Sequence, residues 1–191
     1  MATKQHHYPT DPIVLGKDLN KIKYRLRDKP RDFALFALGI NTAFRGGDLL
    51  SINVGDVRNV QAGDILKIKE QKTGKLRLVT LNNAAVAAIH ALLASDTWDD
   101  DEQPLFRGHK LKTRLTIETL GRLTKKWCKD AGLDGNYSSH SLRKTWAYQN
   151  RKQGADLLVI QKALGHASPA TTMAYMGIQS QELTDLYMRE I

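Results

Sequence analysis

SSHSLRKTWAYQNRKQGADLLVIQKALGHASPATTMAYM, residues 138–176, is the stretch around which the rest of this chain is organised. It contains, in this order, His140, Arg143, His166 and Tyr175. His140 and Arg143 are three residues apart, so they occupy neighbouring positions on one face of a helix that begins near Ser141. Both side chains can then reach one ligand.

The second half of this stretch predicts a tight corner between two helices. Gly165 can end the first helix in a left-handed cap, and Ser168 followed by Pro169 is a sound start for the next helix. His166 then lies in the corner, and Tyr175 lies about two turns into the second helix.

These residue types suit phosphate chemistry. An arginine offers a planar fork of donors for phosphate oxygens, a histidine can donate a proton or a hydrogen bond, and a phenol can act as a covalent nucleophile. The pattern therefore predicts transfer of a phosphoryl group onto a tyrosine.

Three short segments resemble the catalytic boxes of the tyrosine recombinase, or phage integrase, family. They are His-Ser-Leu-Arg at 140–143, Leu-Gly-His at 164–166, and Tyr175 nine residues after His166. Singly, each has an ordinary explanation: a solvated helix face, a helix cap and a core tyrosine. The three together, in this order and at this spacing, are much more specific.

The resemblance implies a further arginine ahead of a short helix. Thr42-Ala43-Phe44-Arg45-Gly46-Gly47-Asp48-Leu49-Leu50 matches this box, with Asp48 where the family more often has Glu. The two glycines permit close approach of the backbone, and the amides of the short helix add positive potential beside Arg45. We interpret Asp48 as a residue that orients an active-site side chain, and a helix cap is an equally good interpretation.

The resemblance also implies a lysine in a β-hairpin. Residues 65–68 and 76–81 are apolar at strand spacing and flank Gln71-Lys72-Thr73-Gly74-Lys75, which predicts a hairpin around a glycine-containing turn. Lys72 is the better match to the family lysine, and Lys75 is the competitor. A turn lysine that contacts only the DNA backbone is the alternative for either.

Composition favours a nucleic-acid partner. The chain has 191 residues, 41% of them hydrophobic, which is enough for the core of one compact domain. Lys and Arg outnumber Asp and Glu by 29 to 20, which gives a formal charge of +9 and suits a polyanion. The single cysteine, Cys128, excludes an internal disulfide and fits a reducing compartment. No apolar run is long enough to span a bilayer, so we expect a cytoplasmic protein with no membrane partner.

Two basic regions are predicted to face DNA: the loop 107–114, and the polar face of a helix over 116–131. The acidic loop 95–103 should face away from DNA. A solvated face is the alternative for each lysine of the helix. The candidate DNA-binding residues are Lys75, Lys110, Lys112, Arg114, Arg122, Lys125, Lys126 and Lys144.

The predicted fold class is mixed α and β, mostly helical with a small antiparallel sheet, as in the catalytic domain of the resembled family. We expect an amino-terminal tail over 1–14, the catalytic domain over 15–178 and a separate helix over 179–191. Relatives commonly pass such a terminal helix to a neighbouring protomer, and we expect it to dock in trans on DNA.

The resemblance implies a site-specific DNA recombinase or integrase that acts through a 3′-phosphotyrosyl intermediate, without metal, ATP or another cofactor. Tyr175 is then the nucleophile. The roles implied for the others are Arg45 and Arg143 as clamps of the non-bridging oxygens, His140 in proton transfer at the tyrosine, His166 as a donor to the phosphate, and Lys72 as the acid for the leaving oxygen.

The implied partners are double-stranded DNA and further copies of the chain, as a dimer to tetramer on paired sites. Three alternatives stay open: an inactive DNA-binding regulator of the same fold, a type IB topoisomerase, and a basic interaction module without catalysis. Typical family members carry a helical DNA-binding module ahead of this domain, and only a tail precedes it here. We expect either an excised catalytic domain or a short natural recombinase similar to the fimbrial invertases, with weak DNA affinity in both cases.

Overall fold

The computed structural model describes residues 10–108, 113–176, 184, 186–188 and 190. Eight helices and one two-stranded antiparallel sheet are defined within them, as the predicted fold class requires. In chain order they are α1 Gly16–Leu26, α2 Pro30–Thr42, α3 Gly46–Leu50, β1 Ile65–Lys69, β2 Leu76–Thr80, α4 Asn83–Ala94, α5 Ile117–Asp130, α6 Ser139–Lys152, α7 Leu157–Leu164 and α8 Pro169–Met176.

Helix α2 is the centre of the core. Pro30 occupies its first turn, where the missing amide hydrogen costs nothing, and the residues from Ala34 to Gly39 are all buried. α2 packs against α4 and α1. Gly39 lets α6 approach closely, because a Cβ at this position would lie 2.6 Å from Cδ1 of Leu142.

Helix α2 ends at Ala43, whose φ of 54° and ψ of 22° are left-handed. It is the one residue other than glycine with positive φ among the residues described. Only glycine, and occasionally Asn or Asp, adopts this region easily, so an alanine here could not be predicted to do so. The turn ends the helix abruptly and leads directly into Arg45 and α3.

The predicted hairpin is confirmed. β1 and β2 pair antiparallel with Leu66 opposite Val79, and Gly74 forms the turn at a φ of 68°. Leu66 and Ile68 on one face are buried in the core. The sequence also predicts a third strand, or its lead-in, over 53–60 and a short strand over 104–106. These segments form only an isolated bridge between Asn53 and Pro104, because the chain turns again at Val54.

The helices α4 and α5 both start at a polar cap, and the sequence predicts the first of these at Asn82 or Asn83. The side chain of Asn82 accepts from the amide of Ala85, and that of Thr116 accepts from the amide of Thr119. Cys128 lies fully buried on the inner face of α5, and burial raises the pKa of its thiol to about 12.

The chain divides into two compact units, Met1–Trp146 and Ala147–Ile191, with the division inside α6. In the second unit, the side chain of Asp156 caps α7. The sequence predicts Leu157, Leu158, Ile160 and Leu164 as core anchors, which is wrong for Leu158, since it is 61% exposed in the first turn of α7. Ile160 and Leu164 are buried, as predicted.

Some predictions lie outside the described residues. They include most of the tail 1–14, Lys110 and Lys112 of the basic loop, and most of the terminal helix 179–191. The predicted domain boundaries therefore stay a prediction. Within the part of the chain that the structure describes, no helix is long and apolar enough to cross a membrane.

Candidate active site

The start of α6 holds two of the predicted residues in different environments. The hydroxyl of Ser141 accepts from the amide of Ser138, which fixes the first turn of the helix. His140 is exposed on this turn, whereas Arg143 is only 3% exposed. The Arg143 guanidinium donates through Nη1 to the carbonyl oxygen of Ala43 at 2.5 Å. The left-handed turn at Ala43 thus supplies the acceptor that anchors this arginine.

Arg45 lies two residues after that acceptor, at the start of α3. Its side chain is 23% exposed and donates through Nη1 to Oε1 of Glu70 at 2.6 Å. Oδ2 of Asp48 is 3.8 Å from the same nitrogen. The two predicted arginines are therefore both attached to one three-residue turn, although they are almost a hundred residues apart in the chain.

Asp48 is buried and ties α3 to the hairpin. Its Oδ1 accepts from the backbone amide of Gln71 at 2.9 Å, immediately before Lys72. Its Oδ2 makes no hydrogen bond to any residue described. This geometry supports the interpretation of Asp48 as an orienting residue, because it fixes the backbone next to the predicted catalytic lysine.

Both candidate lysines are exposed on the hairpin turn. The turn is closed by the amide of Glu70, which donates to the carbonyl of Lys75 at 2.9 Å, and by the amide of Gly74, which donates to the carbonyl of Glu70 at 2.8 Å. The side chains of Lys72 and Lys75 form no ion pair with the residues described. The preference for Lys72 stays a prediction.

Glu70 is the main residue of this region that sequence reasoning missed. Its carboxylate is 8% exposed, and it accepts from Arg45, from the Thr73 hydroxyl at 2.6 Å and from Arg77 at 3.4 Å. Burial alone would raise the pKa of Glu70, but the bonds from Thr73 and Arg45 and the charges of the two arginines outweigh it and lower the pKa. The available signal was an acid two residues before Lys72, the predicted catalytic lysine.

The second unit holds the predicted nucleophile and its neighbouring histidine. Gly165 is left-handed at a φ of 63°, so the predicted cap is confirmed. The rings of His166 and Tyr175 are perpendicular, with centroids 5.0 Å apart. Nδ1 of His166 is 3.0 Å from the hydroxyl of Thr172, which is fully buried. If that hydroxyl donates, the imidazole proton lies on Nε2, where it can serve a phosphate.

Thr172 was also missed as a functional residue. The sequence pattern placed it among the small residues ahead of Tyr175, and its separation of six residues from His166 is the only signal it offered. The side-chain amide of Gln161 completes the corner by donating to the carbonyl of His166 at 3.1 Å.

The loop predicted to face DNA is partly structural. Arg107 is 6% exposed and donates to Asp96 at 2.8 Å and to the Thr97 carbonyl, with its guanidinium 4.0 Å from the centre of the Trp98 ring. The prediction that Arg107 lies on a DNA-facing surface is wrong, because its side chain is buried and bonds to the loop that follows α4. A cleft of about 580 Å³ adjoins it, away from the predicted catalytic residues of the first unit.

The DNA-binding candidates differ in the freedom of their side chains. The Arg114 guanidinium donates to the Leu50 carbonyl and to Oδ1 of Asn53, so its main contacts are internal. Burial lowers the pKa of Lys144, although nearby Asp11 opposes the shift. The remaining described candidates are exposed or half-buried: Lys75, Arg122 beside Thr119, Lys125, and Lys126 in an ion pair with Asp130. Their contact with DNA stays a prediction.

The described residues contain no group of three or more His, Cys, Asp or Glu side chains that could hold a metal ion. The guanidinium groups of Arg45 and Arg143 are suited to an anion that presents several oxygens.

Curated relatives resemble the chain over most of its length. It is 33% identical over 181 residues to the tyrosine recombinase XerC of Caldanaerobacter subterraneus subsp. tengcongensis, covering 91% of this chain and 50% of the relative. It is 30% identical over 178 residues to the probable integrase/recombinase YoeC of Bacillus subtilis, covering 92% of this chain and 94% of that protein. The chain thus spans half of the first relative and nearly all of the second.

Solved structures share the fold. The crystal structure of XerA recombinase superposes with a TM-score of 0.77 at 27% identity, covering 94% of this chain and 65% of that one. A lambda integrase dimer bound to a core site superposes with a TM-score of 0.67 at 21% identity, covering 92% of this chain and 62% of that one, which concerns the fold alone. Residues 16–182 match the model of the phage integrase family. The resemblance predicted from the catalytic boxes is therefore confirmed, and the chain belongs to the phage integrase family of tyrosine recombinases.

Proposed function

We propose that the chain is the catalytic domain of a site-specific DNA recombinase that cleaves and rejoins strands through a phosphotyrosyl link. The observation that carries the proposal is the pair of arginines attached to one turn: Arg143 donates to the Ala43 carbonyl, and Arg45 follows two residues later. Two guanidinium groups held in this way can bind the non-bridging oxygens of one phosphodiester and stabilise the charge that develops on them.

In the proposed reaction, Oη of Tyr175 attacks the scissile phosphorus and loses its proton. A bond forms between this oxygen and the phosphorus, and the bond to the 5′-oxygen breaks. That oxygen takes up a proton and leaves as a 5′-hydroxyl. The new link conserves the energy of the phosphodiester, so attack by a 5′-hydroxyl restores the DNA strand without ATP.

The other residues take the roles that the family implies. His140 assists proton transfer at the tyrosine, and Lys72 protonates the leaving 5′-oxygen. His166 donates to the phosphate. Its bond with Thr172 supports this role if the Thr172 hydroxyl is the donor, since the imidazole proton then lies on Nε2. Asp48 holds the backbone beside Lys72 through the amide of Gln71.

We propose that the substrate is double-stranded DNA in the cytoplasm, bound by two to four copies of the chain on paired sites. The formal charge of +9 supports such a partner. Each phosphate neutralised by a Lys or Arg releases counterions, so binding should weaken steeply as salt rises.

The test is covalent trapping on a nicked suicide substrate, with candidate sites supplied as duplex DNA. We expect the wild-type chain to form an adduct that survives denaturation. Tyr175→Phe should fold and bind DNA equally well but form no adduct, because only the nucleophilic hydroxyl is lost.

Tyr187→Phe is the matched control, since the Tyr187 side chain is 84% exposed and its loss should leave the adduct unchanged. An adduct that persists in Tyr175→Phe would overturn the assignment of the nucleophile. Relaxation of supercoiled plasmid without any preferred site would indicate a topoisomerase instead.

A further inference from the structure

Glu70 is a buried carboxylate that the proposed reaction does not use. It lies at the carboxyl end of β1, where the hairpin turn begins, and contacts a catalytic arginine on one side and the turn on the other. A buried charge is costly unless it is paired, and here three donors satisfy it. Such a position calls for an explanation beyond the stability of the hairpin.

We propose that Glu70 is a positioning residue that sets the guanidinium of Arg45 for the scissile phosphate. The inference rests on the proposed function, because it assigns Glu70 a part in the same cleavage step. Glu70 touches no substrate atom in this scheme. It acts only through its contacts with Arg45 and with the turn that carries Lys72.

The first support is that Glu70 contacts only one nitrogen of the Arg45 guanidinium. Its Oε1 is 2.6 Å from Nη1 of Arg45, and Asp48 lies 3.8 Å from the same nitrogen. Nε and Nη2 of Arg45 have no hydrogen-bond partner among the described residues. A guanidinium fixed at one nitrogen presents the others in a defined plane, which is the geometry that bidentate binding of a phosphate needs.

The second support is the balance of charge. A carboxylate close to a phosphodiester would repel it, but Arg77 lies 3.4 Å from the same Oε1 with its side chain 10% exposed. The Arg77 guanidinium also lies 5.5 Å from the centre of the Phe44 ring, next to Arg45 in the chain. Arg77 therefore offsets the charge of Glu70. Together the two arginines balance Glu70 and Asp48, so the cluster has no net negative charge that would repel the DNA.

The third support is the link to the catalytic lysine. Oε2 of Glu70 accepts from the hydroxyl of Thr73 at 2.6 Å, and Thr73 directly follows Lys72. The two oxygens of one carboxylate thus connect Arg45 to the turn that carries Lys72. A shift of either partner away from a productive geometry would slow the same step.

The test compares two scissile linkages in single-turnover cleavage by the full chain. One is the normal phosphate, and the other is a methylphosphonate, in which a methyl group replaces one non-bridging oxygen and removes its charge. Glu70→Gln keeps the shape of the side chain and loses the charge that holds Arg45. We expect it to slow cleavage of the normal substrate about 10- to 100-fold, and cleavage of the neutral one much less.

Arg45→Ala should show the same dependence on the substrate, and adding Glu70→Gln to it should cause little further loss. Glu118→Gln is the matched control, because Glu118 is an exposed acid at the start of α5. Glu70→Asp keeps the charge but shortens the side chain. If Glu70→Gln does not fold, Glu70→Asp is compared on the same two substrates.

If Glu70→Gln cleaves like the wild type, or slows both substrates equally, the positioning role is overturned while the proposed function stands. If the wild-type chain forms no adduct on either substrate, the proposed function fails and the inference falls with it.

Discussion

The two arginines proposed to bind phosphate and the proposed nucleophile are held in opposite ways. Arg45 is fixed by Glu70, 25 residues away in the sequence, and Arg143 by Ala43, 100 residues away. His166 contacts Thr172, six residues away, and Tyr175, nine residues away. The two arginines thus depend on the packing of the first unit. The positions of His166 and Tyr175 depend only on the cap at Gly165 and on one turn of α8.

This difference has a physical consequence. Long-range contacts exist only when the core has assembled, so a change in core packing can displace an arginine without touching it. Local contacts are set by backbone conformation over a few residues and should tolerate such changes. Mutations that alter the long-range contacts or the local contacts separately can test this difference.

The largest expected effect comes from Arg143→Lys. The lysine keeps the charge but loses the fork that can serve both the Ala43 carbonyl and a phosphate, so cleavage should fall about 100- to 1000-fold. Single-turnover cleavage measures this, with thermal unfolding as a check on the fold. Arg58→Lys, in an exposed arginine paired with Asp101 of the acidic loop, is the control and should cleave normally. A rate for Arg143→Lys within about twofold of wild type would make the arginine a backbone anchor only.

Gly39→Ala should have an intermediate effect that acts through the core. The added Cβ would lie 2.6 Å from Leu142, which precedes Arg143 in α6, and overpacking of this kind costs about 1–3 kcal/mol. We expect chemical denaturation to show that loss and cleavage to slow with it. Gly16→Ala meets no atom within 4 Å and should be neutral or stabilising. Equal stability of both variants would show that the α2 to α6 contact adapts freely.

Thr172→Val should have the smallest effect. It removes the hydroxyl that faces Nδ1 of His166 while keeping the shape, and cleavage should slow about tenfold, the equivalent of one hydrogen bond. Thr171→Val, at an exposed position, should leave the cleavage rate unchanged. The comparison fails if Thr172→Val also lowers the stability of the first unit.

The sequence predicted the local half of the molecule well. The cap at Asn82, the left-handed Gly165 and the hairpin turn follow from residue types that have few conformational alternatives. The family boxes added the predicted catalytic residues. Their proposed roles rest on that resemblance and on the geometry together.

The rest depends on partners that are distant in the sequence. Nothing near Glu70 indicates that it meets Arg45, and nothing near Arg114 indicates that it binds the carbonyls at the end of α3. Arg107 was assigned to DNA because a basic loop usually faces it, whereas the structure pairs it with Asp96 and stacks it on Trp98. A side chain with several donors has many possible partners, and only the assembled core selects among them.

The burial of Cys128 has a practical consequence for labelling this protein with a fluorescent dye. It is the sole cysteine of the chain, it is fully buried, and its thiol has a pKa raised to about 12, so it carries almost no reactive thiolate near neutral pH. A cysteine introduced at an exposed position would then be the preferred target of a maleimide dye. Fluorescence from one such label could report when a single protomer arrives on DNA, with the native thiol left in place.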